Sequence, residues 1–200
     1  MAQEPSSSIT KVCRDHLLAH LRALEGERHP LTSPQRLAAA CDYVEEHLSR
    51  VGLAVQQEPF SVMGLEAVNV IGRPPYPGDQ PRLIIGAHLD TVPHTPGADD
   101  NASGVAALLE IARITAMQCP TAPVEFVAFN LEECGMLGSR HYATSLKRQR
   151  VRLRGMLSLE MLGFTESQGQ QRYPPFLKRF YPRVGNFIGL VANRRSRELL

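Results

Sequence analysis

Cysteine is scarce in this chain: four in 200 residues, with no Cys-x-x-Cys pair among them. Cys13, Cys41, Cys119 and Cys134 lie far apart, which points away from a zinc ribbon or a disulfide framework; they are expected to be buried thiols. Long hydrophobic runs are missing too, since no apolar stretch approaches the ~20 residues that a spanning helix needs. The N-terminus, Met1-Ala-Gln-Glu-Pro-Ser-Ser-Ser8, has neither a basic nor an apolar segment, so no secretory signal is read there, and a disordered start over 1–8 is expected. Nor is there an excess of one charge. Twenty-two Lys and Arg stand against 20 Asp and Glu, a formal net charge of +2. That balance gives no reason to expect a nucleic acid or an anionic membrane as partner. A soluble, cytoplasmic protein is the expectation.

The composition that is present, 43% hydrophobic and 21% charged, is that of a globular chain. At roughly 150 residues per domain, the length predicts one domain. A chain of this size can bury roughly 70% of the surface that its unfolded form exposes, enough for a core without staples.

Val12, Leu17, Leu18, Leu21 and Leu24 recur at helical spacing and predict a helix that ends near Gly26. A second helix is better punctuated: Ser33 can cap it, Pro34 suits its first position, Leu37, Cys41, Val44 and Leu48 form its apolar face, and Gly52 ends it. Val55–Val62 and Ala67–Ile71 are β-rich and meet at Met63-Gly64, a predicted hairpin. Pro75, Pro77 and Gly78 then break the chain. Beyond them strands alternate with helices: strand Leu83–Ala87, helix Val105–Ala116, strand Val124–Asn130, helix Ser139–Lys147 and strand Gly155–Leu159. That alternation implies a parallel sheet covered on both faces. A last apolar run, Asn186–Val191, reads as one more strand before a helix starting near Ser196. The chain stops inside that apparent helix at Glu198-Leu199-Leu200, so the α/β unit is expected to be incomplete at its C-terminus.

Open parallel sheets bind ligands outside the carboxyl ends of their strands. Three predicted strands end in chemically active side chains: Leu83-Ile-Ile-Gly-Ala-His88-Leu-Asp90, Val124-Glu-Phe-Val-Ala-Phe-Asn-Leu-Glu132-Glu133 and Met156-Leu-Ser-Leu-Glu160. Gly97-Ala-Asp99-Asp100-Asn101-Ala-Ser-Gly104 lies between the first strand and its helix. Each piece has an ordinary explanation: a satisfied buried histidine, an Asp-Asn turn, a solvated Glu pair, a helix-start carboxylate. What sets them apart is that all fall at one end of successive strands. Carboxylates crowded together raise one another's pKa unless something positive holds them. A pair of divalent ions brings four positive charges, which balance three carboxylates and a bound hydroxide. One imidazole among carboxylates suits zinc or a similar borderline metal better than calcium.

In these segments the chain resembles the co-catalytic zinc aminopeptidases, metallopeptidase family twenty-eight. The matching elements are Gly86-Ala-His88-Leu-Asp90-Thr91, Gly97–Gly104, Glu132-Glu133-Cys-Gly135 with Gly138-Ser139, and Leu159-Glu160-Met161, which together span about Arg82 to Phe164. The resemblance implies a three-layer α/β sandwich with a mixed, mainly parallel central sheet flanked by helices, as one zinc-peptidase-like domain over 9–200. It implies that His88, Asp100 and Glu160 hold one metal and that Asp100 and Glu133 hold a second, with Asp100 as the bridge. Asp90 would accept the imidazole N–H of His88 and fix its tautomer, and a cis peptide would precede Asn101. Glu132 would be the general base, with a metal-bound hydroxide attacking the scissile bond of a peptide substrate. Many members have Asp where this chain has Glu160. The family's second metal takes a further histidine from a downstream loop that this sequence does not contain. One metal is therefore expected to bind well and the other poorly.

Two other histidines and a basic stretch are read as unrelated to this site. His94 is expected in an exposed loop, and His141 in the helix after Glu132. Lys147–Arg154 lacks interleaved aromatics and reads as a solvated surface at a helix end. Alternatives left open are a related zinc amidohydrolase or dipeptidase, a glutaminyl cyclase of the same fold, and a non-catalytic domain that keeps the fold.

Overall fold

A computed structural model describes residues 12–75, 80–169, 172–176, 180–193 and 196. The expected disordered start at 1–8 and the break at Pro77 and Gly78 lie outside these residues, as does the last predicted helix apart from Ser196.

The first two helices are α1 (Arg14–Leu24) and α2 (Pro34–Arg50). In α2 the buried residues Leu37, Cys41, Val44 and Leu48 repeat at one face of a 3.6-residue period, and Pro34 opens it where no N–H partner is needed. Ser33 stands at the cap, but its side chain makes no capping bond. Its carbonyl does the work, accepting from the N–H groups of Arg36 and Leu37 at 3.1 Å each.

The predicted hairpin is present as β1 (Ala54–Val62) and β2 (Leu65–Arg73), antiparallel from Ala54 opposite Arg73 to Val62 opposite Leu65. Met63 and Gly64 at its tip have φ of 54° and 78°. Two successive positive φ values match the right-handed twist of the strands, and glycine adopts that geometry without a Cβ penalty.

The alternating part follows as β3 (Arg82–His88), α3 (Gly104–Gln118), β4 (Val124–Phe129), α4 (Leu137–Arg148) and β5 (Leu153–Ser158). The sheet order is β1-β2-β4-β3-β5, with β3, β4 and β5 parallel and the hairpin joined antiparallel to β4 through β2. Alternate strand residues face opposite layers. Val70, Ile85, Ala87, Phe126 and Ala128 pack against α1, α2 and α3, whereas Ile71, Ile84, Val127 and Phe129 pack under Tyr142 and Leu146 of α4. Full burial of each large apolar side chain is worth about 1.5–3 kcal/mol, so the two layers fix the sheet between them.

Register then sets the site. His88 lies opposite Phe129, which brings the end of β3 beside the Glu132-Glu133 loop. Ser158 lies opposite Gly86, and Leu159 donates its N–H to the Gly86 carbonyl at 2.8 Å, so Glu160 arrives level with His88.

Two expectations are corrected. Asn186–Val191 forms no strand, and Ile188, Leu190 and Val191 are exposed there, Val191 at 98%. An apolar run becomes a strand only where a partner takes its backbone bonds. The cysteines are all free, but only Cys41 is buried. Cys13 and Cys134 are half-buried and Cys119, at the end of α3, is exposed. Among the described residues, no helix is long and apolar enough to cross a membrane.

Candidate metal centre

His88, at the end of β3, is 5% exposed and is the point on which the acidic residues converge. One oxygen each from Asp100 and Glu160 and one His88 nitrogen lie within 4.8 Å of one another, and the same holds for His88, Glu132 and Glu133. Both groups can hold a divalent ion, and both use His88. Asp100 and Glu133 do not share such a group, although the Asp100 charge acts on Glu133.

The histidine's hydrogen bonding shows why a cation suits the first group. Nδ1 lies 3.2 Å from the Asp90 backbone carbonyl, which can only accept, so Nδ1 carries the hydrogen. In the neutral ring, Nε2 then presents a lone pair to Asp100 Oδ1 at 3.0 Å and to Glu160 Oε2 at 3.5 Å. Asp100 Oδ1 is buried and has no hydrogen-bond donor. Three acceptors facing one another need either a second proton on the ring or a cation between them. Burial opposes a charge on His88, yet the hydrogen bond with Asp90 and the charges of Glu160, Asp90 and Glu132 outweigh it and push the imidazole up to about 9. Glu133 and Glu160 are both raised above the usual carboxylate range, first by burial and then by the charges of neighbouring acids, Asp100 and Glu132 among them.

Asp90 faces His88 and also does a second job. Its backbone carbonyl is 3.2 Å and its carboxylate 3.7 Å from His88 Nδ1. The fully buried carboxylate also accepts the N–H groups of Glu132 at 2.9 Å and Glu133 at 3.0 Å. Asp90 therefore holds the pair of glutamates in place from beneath. The reason is positional: the chain turns at Leu131, φ 55°, and presents two successive amides to the end of β3.

The sequence reading passed over four residues that support this arrangement. Arg28 is 2% exposed and donates to the carbonyls of Leu24, Gly26 at 2.7 Å, Leu89 at 2.7 Å and Gly97 at 3.0 Å, tying three loops beneath the site. Burial lowers its pKa to about 10, with the Asp90 charge opposing the shift. Asn69, buried in β2, accepts from the Asn130 N–H at 3.1 Å and donates to the Gly138 carbonyl at 3.1 Å, closing the Glu132-Glu133 loop at both ends. Its signal was available, as a polar residue inside the apolar run Ala67–Ile71. Asn101 and Ser103 lie in the irregular turn Ala98–Ser103 and reach across to 159–162. The Asp100–Asn101 peptide is cis, as the resemblance implied.

His94 lies in an exposed loop, its N–H bonded to Glu27 at 3.0 Å, and belongs to neither group. His141 is on α4, stacked on Phe60 at 5.0 Å. The basic residues of Lys147–Arg154 are exposed where α4 ends and β5 begins.

A three-layer α/β sheet with histidine and carboxylates gathered at its carboxyl rim is a scaffold able to hold one or two divalent ions. The family model for peptidase family M28 matches residues 69–181, more than half of the chain, and the chain belongs to that family. An uncharacterized protein of Escherichia coli, YfbL, is 37% identical over 190 residues, covering 86% of this chain and 57% of its own length. The solved structure of a leucine aminopeptidase precursor from Bacteroides thetaiotaomicron aligns with a TM-score of 0.65 and 25% identity, over 85% of this chain and 67% of that one. A glutaminyl cyclase from the same organism aligns with a TM-score of 0.63 and 26% identity, over 78% and 62%. The chain thus spans little more than half the length of YfbL.

Proposed function

We propose that this chain carries the metal-binding part of a zinc-dependent exopeptidase of the aminopeptidase type, acting on the N-termini of peptides. The observation that carries the reading is the convergence of His88 Nε2, Asp100 Oδ1 and Glu160 Oε2, with Asp100 Oδ1 buried and without a hydrogen-bond partner. His88, Asp100 and Glu160 would hold one ion. Glu133 and Asp100 would hold a second, as the resemblance implies; the two candidate ligand groups join them only through His88, which belongs to both. With two donors against three, that second site is the weaker. A divalent ion bound here polarises a carbonyl oxygen and acidifies a water.

The chain's own residues do the rest. Asp90 holds the backbone of Glu132 and Glu133 through their N–H groups, and an oxygen of each carboxylate lies within 4.8 Å of a His88 nitrogen. Glu132 takes a proton from the attacking water and returns it to the leaving amine; removal of a general base of this kind costs about 10²–10⁴ in rate. Burial first and then crowding by neighbouring acids raise Glu133 and Glu160, and cations among them would offset the crowding.

Isothermal titration is expected to show one tight zinc ion per chain, and two tight ions would overturn the assignment of ligands. Hydrolysis of an aminoacyl nitroanilide in the presence of zinc is expected to fall by about 10²–10⁴ in Glu132→Ala. Undiminished turnover in that variant would sink the mechanism. Turnover of an N-terminal glutaminyl peptide with loss of ammonia, in place of nitroanilide cleavage, would point to cyclase chemistry instead.

A further inference from the structure

Glu160 is held in a different way from His88. Every residue from Glu160 to Gly163 is exposed, so burial of apolar side chains does not fix this strap. What fixes it is a ladder of polar contacts from the turn Ala98–Ser103. Asn101 Nδ2 donates to the Leu159 carbonyl at 2.9 Å and to Glu160 Oε2 at 3.3 Å. Asn101 Oδ1 accepts the N–H groups of Met161 at 3.3 Å and Gly104 at 3.0 Å. Ser103 Oγ accepts from the Leu162 N–H at 2.9 Å, and Asp99 Oδ1 from the Gly163 N–H at 2.8 Å.

Asn101 has no exposed surface, and its carboxamide uses both hydrogens and its oxygen in these four bonds. An aspartate here would present oxygens to a carbonyl and a carboxylate, so the donor half of the amide is what the position requires. Gly104 belongs to the same device. A Cβ there would collide with Asn101 Oδ1 and the Leu159 carbonyl, so only glycine lets the strap come this close.

We propose that Asn101, helped by Ser103, is a positioning residue for Glu160. It sets that carboxylate against His88 and Asp100 and so fixes the donor geometry of the first ion site without touching the ion. The inference rests on the reading of Glu160 as a ligand.

Zinc alone serves as the probe, titrated calorimetrically into the full chain and into Glu160→Gln, Asn101→Ala, Ser103→Ala and the double variant Asn101→Ala/Glu160→Gln. Thermal denaturation without metal reports folding, and the visible spectrum of the cobalt-loaded protein reports ligand geometry. Asn101→Ala is expected to weaken zinc binding about 10–100-fold, the range for residues that orient ligands, and to shift the cobalt spectrum as Glu160→Gln does. The double variant is expected to be within about twofold of the weaker single, because both changes remove the same ligand. Ser103→Ala, which keeps the Cβ and loses one tie to the strap together with the hydroxyl's bond to Asp99, is expected to weaken binding about 3–10-fold, less than the range for Asn101.

If Glu160→Gln binds zinc like the unaltered chain, the ligand reading itself fails. If Glu160→Gln weakens binding while Asn101→Ala binds normally with an unshifted cobalt spectrum, the positioning inference fails alone. Additive losses in the double variant overturn it as well. Should Asn101→Ala not fold, Ser103→Ala decides, and normal affinity with an unshifted spectrum counts against the inference.

Discussion

The two sides of the metal centre are built by different physics. On the β3 side, His88 and Asp90 are buried between layers, and the carboxylate of Asp90 is saturated by two backbone N–H groups. On the β5 side, Glu160 stands on an exposed strap that hydrogen bonds alone hold to the turn Ala98–Ser103. The lesson is that one cluster of ligands can depend on the fold at one end and on a few local polar contacts at the other. Changes on the first side are expected to cost stability as well as metal binding. Changes to the exposed Glu160 carboxylate on the second are expected to cost metal binding alone.

The largest effect is expected for Asp90→Ala. It strands two amides and removes the charge that favours buried Arg28, and breaking a buried charge network of this kind costs about 3–5 kcal/mol. At about 2–4 °C per kcal/mol for a chain of this size, the melting temperature of the metal-free protein drops by roughly 6–20 °C. A drop no larger than that of Glu160→Gln would erase the contrast between the two sides.

A second buried acid, remote from the metal centre, supplies the control. Burial alone would raise Glu110, but bonds from Arg113 and the Cys13 N–H, with the Arg113 charge, hold it at about 2, below its ordinary value of 4.5. Because the folded-state pKa is depressed, its contribution is present above pH 4.5 and lost as pH falls toward 2. Melting followed across that window is expected to show a loss of about 2–3 kcal/mol that Glu110→Gln abolishes and zinc does not alter.

Asn69→Ala tests the β3 side at one remove. It releases the loop that carries Glu132 and Glu133 by leaving the buried Asn130 N–H unmatched and removing the side-chain donor to the Gly138 carbonyl, at a cost of about 1–3 kcal/mol in melting experiments. The smallest effect is expected on the strap: Glu160→Gln changes the stability of the metal-free chain by less than about 0.5 kcal/mol. A loss comparable to that of Asn69→Ala would mean that the strap is part of the fold.

Much of the fold was legible because its cues are local. Helical spacing in α2, the Met63-Gly64 tip and the alternation from β3 to β5 each depend on neighbours within a few residues. The insertion of β2 beside β4 was not legible, since strand order is decided by which faces the helices cover. Asn186–Val191 looked like a strand for the same local reasons and found no partner among the described residues. Arg28 and Ser103 gave no sign of their roles, because the partners that tie them to the site, Leu89 and Gly97 for Arg28 and Leu162 for Ser103, lie 61, 69 and 59 residues away.

By itself, the sequence determined the kinds of donor and their order along the chain: histidine, aspartate, paired glutamates, glutamate, each at the end of a strand or in the turn that follows. Those features are set by side-chain chemistry and by short-range periodicity. Only the tertiary structure decided that the Asp90 carboxylate faces two amides as well as the imidazole, and that Asn101 rather than packing holds Glu160. Which buried group satisfies which is settled when distant segments meet, because only then does each N–H and carbonyl lose its water and need a partner.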